Sequence, residues 1–415
     1  MSSSVRSSPI RRLAEWDATR LDELASTHDT PLYVTDLERV RENYERMNGA
    51  FPGASVMYAA KANTAKAVLQ TLVEAGAGIE CASAGEVERA LGAGCAPEKV
   101  QYTAVNPPKA DLDYAVSVST EHSELTITAG AEDTIDRLAE RDFFGRLCLR
   151  VNPGVGAGHH EKVSTGANAK FGVPIDRAPD VLREADERGF DVVGIHAHAG
   201  SGISGEDLSA HRELVSRMGE LAREVYLDLD FVDIGGGFGV PYSPEKEPLD
   251  LDAVAETTRE ALGECEATLV VEPGRYLVAD AGVLLTRVNT VKPAGEEPVV
   301  GVDAGLGTLM RPALYDAYHE IRSLTPEKRE TARATVTGPI CESGDVFGTY
   351  ELPAPERGDL LAVGNAGAYG YEMANQYNSR PRPATAVIDG ERSAVDRRRE
   401  TLGDITRLDR GAPWL

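Results

Sequence analysis

SVMYAAKANTAKAVLQTLVEAGAGIECA, residues 55–82, carries the reading of the fold. A short apolar run (55–60) gives way to a segment whose apolar side chains recur at helical spacing, and a second apolar run follows at 78–82. The period switches from that of a strand to that of a helix and back, with Gly76 and Gly78 marking the return. The alternation continues outward. Further strand-like runs lie at VQYTAV (100–105), ELTIT (124–128), RLCLRV (146–151), DVVGIHAHA (191–199), DFVDI (230–234) and TLVVE (268–272). Helical patterns such as AGEVERALGAG, AEDTIDRLAERD and DAVAETTREALGE separate most of them. Eight strand-then-helix units predict an α/β fold, a (β/α)8 TIM-type barrel.

Beyond about residue 278 the texture changes. GVLLTRVNTVKP, EPVVGVDAG, RATVTGP, DLLAVGNAG and ATAVIDG are strand-like runs punctuated by Gly and Pro. The division read from this is a barrel over 37–277 and a second, mainly β domain of sandwich or Greek-key type. That second domain combines 278–415 with 1–36, whose strand-like PLYVTD precedes the barrel. A chain of 415 residues exceeds what one core usually serves, so two domains are the natural prior.

Composition narrows the function. Lys+Arg number 43 against 67 Asp+Glu, a formal charge of -24, which repels a polyanion over most of the surface and excludes nucleic acid as a partner. Only nine of the basic residues are lysines, and with the acid excess this points to a salt-rich, halophilic habitat. Cys81, Cys95, Cys148, Cys265 and Cys341 are odd in number and lack metal-ligand spacing, so a reducing cytoplasm is expected and no metal site. No stretch approaches the apolar length of a spanning helix, and no membrane role is expected.

Barrel active sites are built at the C-terminal ends of the strands. Four ends stand out: Tyr58-Ala59-Ala60-Lys61, His196-Ala197-His198-Ala199-Gly200-Ser201, Asp233-Ile234-Gly235-Gly236-Gly237 and Glu272-Pro273-Gly274-Arg275. Lys61, one of few lysines and placed at a barrel mouth, suits a Schiff-base lysine, whose amine must be desolvated. Gly235, Gly236 and Gly237 read either as a tight turn or as a backbone nest that lets N–H groups approach a phosphate. His198 reaches the mouth, whereas His196 reads as a packed core histidine. Glu272 in an apolar strand requires a partner, either a protonated pyridine nitrogen or Arg275, because an ionised carboxylate buried alone is costly.

These residues resemble those of the fold-type III pyridoxal 5′-phosphate (PLP) decarboxylases, the alanine-racemase-like barrel group, and within it the diaminopimelate decarboxylases. The likeness spans nearly the whole chain. It extends to Arg150-Val151-Asn152-Pro153-Gly154, Ser164-Thr165-Gly166, Lys170-Phe171-Gly172, Asp303-Ala304-Gly305, Arg311-Pro312-Ala313-Leu314-Tyr315, Cys341-Glu342-Ser343-Gly344-Asp345, Gly367-Ala368-Tyr369-Gly370 and Tyr377-Asn378-Ser379-Arg380-Pro381-Arg382-Pro383. Gly156 to Lys162 and Asn106 to Lys109 depart from the commoner pattern.

The resemblance implies PLP held by Lys61, stacked on by His198 and paired at its ring nitrogen with Glu272. Ser201, Gly235, Gly236, Gly237, Pro273, Gly274, Arg275 and Tyr369 would complete the cofactor site. Arg275, Arg311, Tyr315, Glu342 and Tyr369 would meet the substrate, with Glu342 taking the distal ammonium. Cys341 would return a proton to Cα, and its loop would enter the site of a second subunit, which implies a homodimer with shared active sites. The implied reaction is decarboxylation of meso-diaminopimelate to L-lysine and CO2. The alternative is a relative acting on ornithine, arginine or carboxynorspermidine.

Overall fold

A computed structural model describes residues 8–155, 170–198, 200, 203, 207–295, 297–325 and 329–414. The chain divides into two compact units, one formed by Val40–Val240 with Glu247–Leu277, the other by Met1–Arg39, Pro241–Lys246 and Val278–Leu415.

The first unit is the parallel barrel. Its strands are Ser55–Ala59, Gly78–Cys81, Val100–Tyr102, Thr126–Ala129, Arg146–Asn152, Asp191–His196, Phe231–Asp233 and Thr268–Val271. Each pairs in parallel with the next: Tyr58 opposes Ile79, Ile79 opposes Val100, Gln101 opposes Thr126, Ile127 opposes Leu147, Leu149 opposes Ile195 and Ile195 opposes Val232. Val232 opposes Leu269, and Val270 opposite Ser55 closes the ring. Every expected strand is present, its ends offset by at most three residues.

Local chemistry sets the helix boundaries. The Ser83 side chain accepts from the Glu86 amide at 3.3 Å and Glu86 accepts in return from the Ala82 amide at 2.7 Å, which starts the helix Ala84–Gly92. The helix Lys66–Ala75 stops where Gly76 turns left-handed (φ 108°) and the Ala77 amide reaches back to the Leu72 carbonyl at 3.0 Å.

The interior of this barrel is polar. Glu80, Gln101, Thr128, Arg150, His196 and Asp233 are all buried, and the Gln101 amide spans the lumen to Asp233 at 3.4 Å, between strands that are not neighbours. A layer that could have held Val and Leu holds charge instead, a cost that only paired or functional groups offset.

The second unit is a nine-stranded sheet set in which Val346–Pro353, Thr331–Thr337, Val299–Val302, Gly282–Lys292, Leu32–Asp36, Ala384–Asp389 and Arg392–Arg397 lie in that order. Leu360–Val363 adds to Gly282–Lys292, and Ile321–Ser323 adds to Leu360–Val363. The N-terminal strand is therefore inserted between two C-terminal ones, antiparallel to Gly282–Lys292 and parallel to Ala384–Asp389. Gly282–Lys292 serves two cores: Val283 and Leu285 enter one with Leu32, Val34 and Ala386, and Leu284 enters the other with Tyr33, Val300 and Val336. That explains its near-continuous apolar run, since both faces of its first half are covered. No helix among the described residues is long and apolar enough to cross a membrane.

Candidate active site

At the C-terminal ends of the barrel strands the structure assembles Lys61, His198, Gly235, Gly236, Gly237, Glu272, Pro273, Gly274 and Arg275. Lys61 lies in the short helical turn Ala60–Ala62, directly after Ser55–Ala59, with its side chain 44% exposed at the mouth. Its Nζ is 3.5 Å from Oε2 of Glu80, a carboxylate that is 2% exposed. Burial pushes the Glu80 carboxyl up to about 7, and the nearby charge of Lys61 only partly opposes this. Ser201, the remaining cofactor candidate of the barrel, lies outside the described residues, as do Gly156 to Lys162 and Ser164 to Gly166.

The three glycines interleave between His198 and Glu272. The Gly236 amide donates to His198 Nδ1 at 3.1 Å, and the Glu272 amide donates to the Gly235 carbonyl at 2.9 Å. A Cβ on Gly236 would stand 2.2 Å from the Glu272 carbonyl, and one on Gly235 would stand 2.7 Å from both the Ala197 carbonyl and His198 Nδ1. Only residues without a side chain permit this approach. Because His198 Nδ1 accepts, its proton sits on Nε2. The protein packed around the half-buried ring, then the charges of Lys61 and Arg150, press its pKa down to about 3, so the imidazole is neutral.

Glu272 is 4% exposed, and it has a partner within the chain that the sequence did not suggest. Oε2 lies 3.3 Å from Nε2 of His196, itself 1% exposed. His196, read from the sequence as a packed core histidine, is buried, and it also donates a hydrogen bond to this carboxylate. Burial alone would raise the Glu272 carboxyl, yet His196 and the charge of Lys61 outweigh it and hold the group well below the ordinary carboxylate range. Asp233 moves the other way: burial and the Glu272 charge raise it well above its usual value. The two carboxyls are thus driven in opposite directions, Glu272 toward its charged form and Asp233 toward its protonated one. Glu272 Oε1 and His196 Nδ1 are buried with no hydrogen-bond partner among the described residues. Arg150 is also buried beside this group, where desolvation lowers its pKa against the pull of Glu272 and Glu80.

In the second unit Arg311 and Tyr315 bound the short helix Arg311–Tyr315; Arg311 is buried and Tyr315 half-buried. Cys341 and Glu342 are exposed on the turn after Thr331–Thr337. Buried Asp345 fixes that turn, accepting from the Ile340 amide at 2.7 Å and the Leu306 amide at 2.5 Å. Gly338 must lack a side chain because a Cβ there would meet the Asp345 carboxylate at 2.3 Å. Cys341 Sγ lies 3.2 Å from the Asn378 side-chain oxygen. Tyr369 sits half-buried with φ 56°, left-handed for a bulky residue. Of the other cysteines, Cys81, Cys95 and Cys148 are buried and Cys265 is half-buried.

Residues 37–279 match the family described as pyridoxal-dependent decarboxylase, pyridoxal binding domain. The chain is 43% identical over 402 residues to a diaminopimelate decarboxylase of Methanothermobacter thermautotrophicus, covering 93% of this chain and 92% of that one. The chain belongs to the diaminopimelate decarboxylase family of pyridoxal-dependent decarboxylases. Among solved structures of this family, the Helicobacter pylori enzyme complexed with L-lysine superposes with a TM-score of 0.88 at 33% identity, over 94% of this chain and 99% of that one. The M. jannaschii diaminopimelate decarboxylase, in co-complex with L-lysine, gives 0.87 at 31% identity over 99% and 98%. Membership accounts for the polar barrel interior: a PLP-dependent decarboxylase needs charge at the strand ends, where an apolar core would offer none.

Proposed function

We propose that the protein decarboxylates meso-diaminopimelate to L-lysine and CO2 with PLP as cofactor. The observation that carries the chemistry is Glu272: a buried, charged carboxylate with one oxygen turned to His196 and the other without a partner among the described residues. That oxygen fits a protonated pyridine nitrogen, the group that the cofactor would bring. The close backbone of Gly235 to Gly237 fits its phosphate, and Lys61 at the mouth fits its aldehyde. When bound, PLP supplies an electron sink for the pair left on Cα as CO2 departs.

The residues of this chain do the rest. Lys61 would hold the cofactor through its Nζ amine. Neutral His198 covers the ring without adding charge. Ser201, Gly235, Gly236, Gly237, Pro273, Gly274, Arg275 and Tyr369 bind the cofactor, mostly at its phosphate. Arg275, Arg311, Tyr315 and Tyr369 hold carboxylates of the substrate, and Glu342 takes its distal ammonium. Cys341 Sγ delivers the proton to Cα.

The barrel of 37–277 thus supplies most of the residues for the cofactor, and the β domain of 1–36 and 278–415 most of those for the substrate. The enzyme works as a cytoplasmic homodimer in a salt-rich cell, which fits five free cysteines and a charge of -24. The substrate assignment draws on the relatives named diaminopimelate decarboxylase and on the two held with L-lysine.

The test is CO2 release by PLP-loaded protein in high salt, with meso-diaminopimelate, L-ornithine and L-arginine compared. Release from diaminopimelate with lysine as product, abolished in Lys61→Ala, is the expected result. Release from ornithine or arginine alone would move the enzyme to the polyamine branch, and full activity in Lys61→Ala would refute the covalent role.

A further inference from the structure

Arg311 is 4% exposed, and two residues outside every motif above govern its placement. Its Nη1 lies 2.8 Å from His319 Nε2, and its guanidinium carbon stands 4.5 Å from the centroid of the Tyr242 ring. His319 is fully buried, with Nδ1 2.8 Å from the Gly364 carbonyl oxygen. A carbonyl only accepts, so Nδ1 carries the ring proton and Nε2 presents a lone pair, the one tautomer able to accept from arginine. The Gly364 amide is in turn bonded to the Glu320 carbonyl at 2.9 Å, which ties the arrangement to the sheet. Tyr242 also packs edge-on to His319, centroids 5.1 Å apart and planes at 79°. The guanidinium is therefore gripped along one edge and over one face. Two-point recognition of a carboxylate depends on the plane of the fork, and this grip fixes that plane.

We infer that His319 and Tyr242 are positioning residues for the substrate's distal carboxylate, acting through Arg311. The inference rests on the reading that Arg311 meets that carboxylate, and the experiment separates the two. Two ligands of the holoenzyme differ only by that group: L-lysine carries the carboxylate and cadaverine does not. Their dissociation constants, from titration calorimetry, are the primary readout, and KM and kcat for diaminopimelate the second.

His319→Leu is expected to weaken L-lysine and raise KM roughly tenfold while leaving cadaverine and kcat within about twofold, the scale of one hydrogen bond to a charged group. Tyr242→Leu acts in the same direction more weakly. His319→Gln, which still offers one donor and one acceptor, restores much of the lysine affinity. It and Tyr242→Leu also decide the matter if His319→Leu does not fold. Equal changes for lysine and cadaverine, or no change for lysine, would overturn the inference. Arg311→Leu separates the layers: if it leaves lysine binding intact, the reading of Arg311 itself is wrong. If it weakens lysine but His319→Leu and Tyr242→Leu do not, only the positioning role falls.

Discussion

His196 Nε2 stands 3.3 Å from Glu272 Oε2, and both side chains are almost wholly buried. The pair explains how a carboxylate stays charged inside a barrel. Replacing His196 by Leu leaves that charge without its donor, so cofactor-free protein should lose about 2 kcal/mol of stability, the scale of a hydrogen bond to a charged group. A urea midpoint equal to that of the wild type would contradict this. PLP affinity should fall as well, because Glu272 would then favour its protonated form.

Glycine substitutions should divide sharply by position. Gly236→Ala places a methyl 2.2 Å from the Glu272 carbonyl, so the backbone between His198 and Glu272 must shift. PLP affinity, followed by fluorescence quenching, should drop by about tenfold or more with the far-ultraviolet circular dichroism unchanged, since a misplaced phosphate site forfeits at least one charge-assisted hydrogen bond. Gly92, at the end of the helix Ala84–Gly92, has nothing within 4 Å of such a methyl. Gly92→Ala should instead stabilise the protein by about 0.5 kcal/mol.

Glu80 gives stability a pH slope of known sign. Its carboxyl is raised from 4.5 to about 7 in the folded protein, so between those values the native state holds a proton that the unfolded chain has lost. The contribution of this group therefore falls as pH rises through that window. Melting temperatures of cofactor-free Glu80→Gln should gain on wild type from pH 5 to pH 8. A constant difference across the range would show that Glu80 is charged throughout.

His198, pressed down to about 3, is neutral wherever the enzyme could work. The acid limb of a pH–rate profile cannot then belong to it. His198→Phe should weaken PLP binding and lower kcat while leaving the acid-limb pKa in place; disappearance of that limb would assign it to His198 after all.

How much of this was legible beforehand follows the physics of each signal. Barrel strands announce themselves because both faces are covered, so SVMYAA or TLVVE reads as an apolar run whatever surrounds it. Lys61 and Gly235 to Gly237 were visible as departures from those runs at their ends. His196, Glu80, Arg150 and Asp233 were harder, since each lies inside or at the close of a strand, where a polar residue usually means a neighbour that sequence order does not reveal. The partner of Glu272 sits 76 positions earlier in the chain. Arg311 is visible in its motif, but its support is not: Tyr242 comes from a distant stretch to stack on the guanidinium, and Gly364 from another to fix His319.

The insertion of Leu32–Asp36 between Gly282–Lys292 and Ala384–Asp389 has a consequence for biosynthesis. A ribosome releases this strand before the barrel and both of its partners after it, so the nascent chain carries two bare strand edges through the making of the entire barrel. The barrel unit, complete by Leu277, can close while its sibling waits. Truncation shortly before Ala384 would then leave Leu32–Asp36 paired with Gly282–Lys292 on one side and bare on the other, an apolar edge prone to aggregate.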